Sequence, residues 1–173
     1  MLISLAYESA LFERCIAILS RVAAAGDLND RSNHAAELFG SLFSLYLSGT
    51  LASIEQRLRV TEPMLRSDDA KQRSLGLMAI KGLLKAAYFT SHHHFKFGAR
   101  LRDFGYRPCT FSDLKHWFGQ TLELSETLAC SDLPVAADVR KAIAEQIRSL
   151  DWGGRVRRSR KGLPDHFSEG ILA

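Results

Sequence analysis

Spacing restricts this chain more than anything else in it. Apolar residues return every three or four positions along most of its length, and nowhere do they alternate over a run bounded by hairpin turns. That is the periodicity of helices carrying an oily stripe, so the expected fold is all-α. Only four prolines interrupt the 173 residues, which suits a helical chain because proline removes an i to i−4 hydrogen bond.

Six helices follow from the stripes and their boundary residues. Leu2 to Ala24 reads as the first, with Leu5, Leu11, Phe12, Cys15, Ile16, Ile18, Leu19 and Val22 on one arc of about 160° and Glu13, Arg14, Ser20 and Arg21 facing away. So wide an arc implies packing neighbours on two sides, supplied by another segment or by a partner, because a terminal repeat ordinarily shows a polar outer face. Gly26, Asp27, Asn29 and Asp30 form a turn. The second helix, about Asn33 to Leu47, carries Ala35, Leu38, Phe39, Leu42 and Tyr46. The third starts near Leu51 with Ile54, Leu58 and Leu65, and Pro63 kinks or splits it. Ser67 is placed to cap the fourth, with Asp68 and Asp69 at the positive end of the helix dipole. That helix runs to about Tyr88, and Gly82, with Ala79 and Ala86, suggests another backbone passing close by. Thr110 and Asp113 have the spacing of a capping box and open the fifth helix, which carries Leu114, Trp117, Phe118, Leu124 and Leu128 to about Ala129. The sixth starts near Pro134 and repeats Val135, Val139, Ile143, Ile147 and Leu150 before Gly153 and Gly154 stop it.

Six helices joined mostly by short turns make three consecutive hairpins of about 40 residues, the period of HEAT or armadillo units. The expected architecture is three stacked hairpins over residues 1–152 with a basic tail at 153–173; a compact six-helix bundle is the alternative.

Composition narrows the class. Hydrophobic residues at 46% and charged residues at 24% exclude a disordered or collagenous chain. Cys15, Cys109 and Cys130 are odd in number and lack a CxxC pair, as suits a reducing cytosol. Glu8 and Glu13 interrupt the first apolar segment, so a secretory signal is not expected and the expected location is cytoplasmic. Leu38 to Ile54 carries no charge, yet Ser41, Ser44, Ser48, Thr50 and Ser53 run through it and Gly49 breaks it, which favours two helices meeting at a turn over a membrane span. The formal net charge is +4, but eighteen basic and seventeen acidic residues lie before Gly153. Most of the excess sits in the tail, so the pI of about 9.1 is no argument that the whole domain grips nucleic acid.

The segment from Phe89 to Cys109 is long for a connection. Phe89, Phe95, Phe97, Phe104 and Tyr106 interleave there with His92, His93, His94, Lys96, Arg100, Arg102 and Arg107. The plain expectation is an ordered loop whose aromatics plug a gap between hairpins; the functional one is a surface for an anionic ligand. His92 and His94 would share one side of an extended segment and are weak metal candidates, without a third ligand. Asp103-Phe104-Gly105 spells a protein-kinase tripeptide, but no glycine-rich loop or catalytic loop accompanies it, and no phosphate-binding loop or nucleophile elbow occurs.

Several stretches nevertheless have a familiar wording: Leu45-Tyr46-Leu47-Ser48-Gly49-Thr50, Glu55-Gln56-Arg57-Leu58, Leu65-Arg66-Ser67-Asp68-Asp69, Leu75-Gly76-Leu77, and Phe95 through Gly105. Over roughly residues 1 to 130 the chain resembles the helical-repeat region of large bacterial NTPases of the STAND class, in which a nucleotide-binding engine is joined to repeats that recognise a trigger, often in phage defence. The resemblance implies a recognition or scaffolding part, with the ATP-binding residues outside this chain.

The functional expectation is therefore a non-catalytic helical module that binds a protein partner or adjoining domains, without a cofactor and with a homo-oligomer open, using Phe97, Arg100, Arg102, Tyr106 and Arg107 as anchors. The alternative is a nucleic-acid-binding repeat that adds Arg155, Arg157, Arg158, Arg160 and Lys161 to the loop cations.

Overall fold

The computed structural model describes residues 2–146 except 29, 31, 88, 90–95, 98, 99 and 102; of residues 96, 97, 100 and 101 it describes the backbone alone. The fold is all-α. In chain order come α1 (Leu2–Ala6), α2 (Ser9–Ala25), α3 (His34–Ser41), α4 (Ile54–Leu65), α5 (Ala70–Leu84), a short antiparallel pair of β1 (Lys96–Phe97) and β2 (Arg100–Leu101), α6 (Phe111–Ala129) and α7 (136–146). None of the helices is long and apolar enough to cross a membrane, among the described residues.

Neighbours in sequence pack together, α1 on α2, α2 on α3, α4 on α5 and α5 on α6; α2 also meets α4 and α5, α3 meets α5, and α6 meets α4. Phe12, Phe39 and Phe43 form an aromatic centre, with Phe12 edge-on to Phe43 at 6.0 Å and Phe39 tilted against it at 5.0 Å. Such pairs add to the stabilisation from burying their area. A Cβ on Gly82 would stand 3.1 Å from the Gly40 carbonyl oxygen and 3.1 Å from Phe43 Cβ, so the close backbone approach expected at that glycine is present where α5 crosses the end of α3.

Side chains punctuate the helices. Asn33 accepts from Ala36 N at the start of α3 and donates to the carbonyls of Ala23 and Asp27, closing the α2–α3 turn from both ends. Thr110 and Asp113 form the expected capping box of α6. A second one, Ser53 with Gln56, opens α4, and Gln56 Nε2 also donates to the Ser9 carbonyl at 3.0 Å. Arg140 donates to the Ala129 carbonyl and Lys81 Nζ lies 3.6 Å from Glu145, tying α7 to α6 and α5.

Six expectations need correction. The first helix breaks at Tyr7 and Glu8, because the Tyr7 carbonyl accepts from Leu51 N and its hydroxyl donates to Asp103, drawing that residue out of the helix. Its apolar arc is also less buried than expected: Ile18 is 48% and Val22 51% exposed, since the neighbours of α2 gather on the side of Phe12, Ile16, Leu19 and Ala23. The second helix ends at Ser41, six residues early, for a reason given below. Pro63 leaves α4 whole, lying in its last turn with the ring exposed. The fourth helix is capped by Asp69, whose carboxylate accepts from Lys71 N, while Ser67 accepts from Asp69 N, and it stops at Leu84 because Lys85 is extended.

Candidate recognition surface

On α4, Ile54, Thr61 and Leu65 define the buried stripe, and Arg57 stands in that same stripe, completely buried. A cation there needs partners in every direction, because an ion removed from water without them is strongly disfavoured. Arg57 finds them in the backbone. Nε donates to the Ala52 carbonyl at 3.1 Å, Nη1 to the carbonyls of Leu42 and Ser44 at 2.8 Å each, and Nη2 to Ser48 Oγ at 3.1 Å. Its guanidinium carbon lies 4.9 Å from the centre of the Trp117 ring, a cation–π arrangement. Burial pushes the guanidinium down to about 9, opposed by nearby Tyr106, so it is still a cation at neutral pH.

These bonds explain the segment from Leu42 to Ser53. Two carbonyls that would have continued α3 point instead at one guanidinium, and the chain winds around it through Leu47 at φ 58° and Gly49 at φ 71°. No buried side-chain nitrogen or oxygen among the described residues lacks a hydrogen-bond partner.

A further layer lies against this core. Trp117 donates from Nε1 to the Leu83 carbonyl at 2.9 Å, and Tyr106 stacks on its ring at 5.5 Å and 19°. The backbone of Tyr106 is fixed by two hydrogen bonds between the loops, Gly49 N to the Phe104 carbonyl at 2.9 Å and Tyr106 N to the Thr50 carbonyl at 2.7 Å. Asp103 accepts from Gly105 N at 3.0 Å and from the Tyr7 hydroxyl at 2.8 Å. The kinase-like tripeptide is thus a turn, in which Gly105 takes φ 87° against the Thr50 backbone.

The rim is charged. Glu55 on α4 and His116 on α6 meet at 2.6 Å, and Asp113 accepts from the backbone of Cys109 and Thr110. The Ser53 hydroxyl, then His116, holds the Glu55 carboxyl below its ordinary 4.5, and backbone N–H groups hold Asp113 below 3.8. Tyr106 is raised, first by burial and then by the Asp113 charge. A depressed carboxyl means the unfolded chain takes up protons first, so its stabilisation is present above the ordinary value and is lost as the pH falls through the folded one. Urea midpoints are accordingly expected to drop as the pH is lowered from 5 to 3, with a shallower slope in Glu55→Gln; equal slopes would show that Glu55 takes no part.

Of the anchors expected from the sequence, Tyr106 is half-buried in the stack and Arg107 is exposed beside it. Phe97 and Arg100 pair through the backbone of β1 and β2, with their side chains outside the described residues. Arg102, the metal candidates His92 and His94, and the basic run Arg155, Arg157, Arg158, Arg160 and Lys161 also lie outside them. Among the described residues no group of three His, Cys, Asp or Glu is gathered to hold a metal ion. Among the loop aromatics, Phe89 meets Tyr46 edge-on at 5.1 Å and packs against the core. Large apolar groups remain open at the rim: Leu51, next to Thr50, is 42% exposed, Phe104 51%, and Phe111, the first residue of α6, 75%.

Arg57 was legible only in retrospect, as a cation at i+3 from Ile54 on an apolar stripe, and Ser53 with Gln56 had the spacing of a capping box. In comparisons with known proteins, this chain matches no family model, no curated sequence and no solved structure.

Proposed function

We propose that this chain is a non-catalytic α-helical recognition module of stacked hairpins in the HEAT or armadillo manner, and that it holds a protein partner or an adjoining domain at the surface around Tyr106. The observation that carries the reading is the division of labour at that surface. Its buried polar groups are committed within the fold, Arg57 and Trp117 to backbone carbonyls and Ser48 to the Arg57 guanidinium, while Leu51, Phe104 and Phe111 stay exposed beside the cation Arg107. Aromatic residues, phenylalanine included, and arginine are enriched in protein-binding interfaces relative to the rest of the surface. The pairing of α2 with α3 and of α4 with α5, with α6 following on α4 and α5, supports the hairpin reading. The likeness to STAND repeats adds a role as the sensor part of a larger bacterial assembly.

The test is a photo-crosslinker placed at Phe111 in the full chain and, as a control, at Glu126, which is exposed on the same helix. In lysate of the source cells, one discrete protein adduct is expected from the Phe111 position, lost when Leu51→Ser and Arg107→Glu are added, and none from Glu126. The same adducts at both positions, or none at either, would overturn the reading.

A further inference from the structure

The solvent side of α2 is a second surface, separate from the one around Tyr106. Its exposed residues are Ala10, Arg14, Ala17, Ile18, Arg21, Val22 and Ala25. They form two adjoining rows, Ala10, Arg14, Ala17 and Arg21 beside Ile18, Val22 and Ala25, each with steps of three and four. That is the spacing along which one helix lies against another at a shallow angle, and the alanines leave room for a close approach. The opposite side of α2, Phe12, Ile16, Leu19 and Ala23, is already core. Two β-branched side chains half out of water on adjacent turns of one helix form an apolar strip with no cover among the described residues.

Charge decides what fits the strip. Within α2 the one acidic residue is Glu13, and it is occupied by Arg59 at 2.8 Å. The exposed rows hold two arginines seven residues apart and no carboxylate. Lys71 adds a third cation at the C-terminal end, where its ammonium reaches the Ala24 carbonyl at 2.6 Å. A second copy is disfavoured by the same arithmetic. Antiparallel pairing centred between Ala17 and Ile18 sets Arg14 against Arg21 of the other chain, and parallel pairing sets each arginine against itself; like charges so placed oppose association.

We propose that the Arg14–Ile18–Arg21–Val22 face of α2 docks an acidic amphipathic helix of another protein, one that lays a leucine-type seam on Ile18 and Val22 and carries carboxylates about two turns apart against Arg14 and Arg21. A single helix laid along α2 buries less than a standard interface, so the binding is weak and reversible. It stands on different residues from the Tyr106 surface, and either can fail without the other.

The probe is a pair of designed 21-residue amphipathic peptides with one leucine seam, flanked by glutamates in one and by lysines in the other. Anisotropy titrations with the full chain at low salt are expected to give saturable binding of the glutamate peptide and at least tenfold weaker binding of the lysine peptide. Arg14→Glu with Arg21→Glu should invert that preference, and Ile18→Ser with Val22→Ser should weaken both peptides at least tenfold. All four positions are exposed, and circular dichroism of each variant confirms that it is folded. Equal binding of the two peptides, or a preference that the charge swap leaves unmoved, overturns the proposal. So does a dimer seen by light scattering that Ile18→Ser with Val22→Ser dissolves, which would make the occupant a second copy, or binding to anionic vesicles in place of the glutamate peptide.

Discussion

Replacing Arg57 with methionine is expected to destabilise the protein by about 3–5 kcal/mol, the range seen when one partner of a buried charged network is removed and the others are left behind. Methionine fills much of the space but donates nothing. The carbonyls of Leu42, Ser44 and Ala52 and the Ser48 hydroxyl would then be buried without the guanidinium that satisfies them now, and each unsatisfied group costs about 1–3 kcal/mol. Arg57→Lys should also destabilise, because three donors on one nitrogen cannot reproduce the planar fork that reaches acceptors on three sides. Urea unfolding followed by circular dichroism measures the loss. Amide exchange should quicken first at residues 42–53, since Arg57 is what holds them. An unchanged urea midpoint in Arg57→Met would show that the loop is held by its apolar contacts alone.

Gly105→Ala is the second large effect, about 3–4 kcal/mol, and its cause is steric. The new Cβ would lie 2.5 Å from both Thr50 N and Thr50 O, atoms of backbone that cannot swing aside as a side chain can. At φ 87° an alanine also takes on the left-handed penalty of roughly 1–2 kcal/mol. The way out is to part the two loops, losing the Gly49–Phe104 and Tyr106–Thr50 hydrogen bonds at about 1 kcal/mol each. The internal comparison is Gly119→Ala: that glycine is helical and exposed with nothing within 4 Å of a Cβ, so alanine there should raise stability by about 0.4–1 kcal/mol. Thermal melts of the two variants should therefore move in opposite directions. Tryptophan fluorescence should report the loosening in Gly105→Ala alone, because Tyr106 stacks on Trp117. Matching shifts in the two melts would refute the steric account.

Helices were the legible part of this chain, and capping shows why. Thr110 with Asp113 could be read from four residues, because the hydroxyl and carboxylate act on backbone groups within their own turn. Gly82 could be read too, since a glycine inside a strong helix pattern costs stability unless something needs the room. The end of α3 was not legible. Leu42, Leu45 and Tyr46 continue a helical spacing perfectly well; what stops the helix is a guanidinium fifteen residues beyond Leu42 that captures its carbonyl. The same holds for Tyr7, taken out of the first helix by hydrogen bonds to Leu51 and Asp103.

The candidate site follows that division. Tyr106 and Arg107 were singled out by their interleaved aromatic and basic surroundings, whereas Arg57, Trp117 and Gly105 gained their roles only when three distant stretches met. Ile18 and Val22 went the other way: their spacing matched a buried arc, and the packing left them outside.

By itself the amino-acid order determined that the chain is helical, where most of the helices begin, and which faces are oily, because those properties depend on neighbours within about one turn. Tertiary structure alone decided which oily face is covered, where α3 gives way to a wound loop, and why a cation can sit at the centre. Those outcomes rest on the desolvation of groups far apart in sequence, and no local pattern carries that energy until the chain has closed around it.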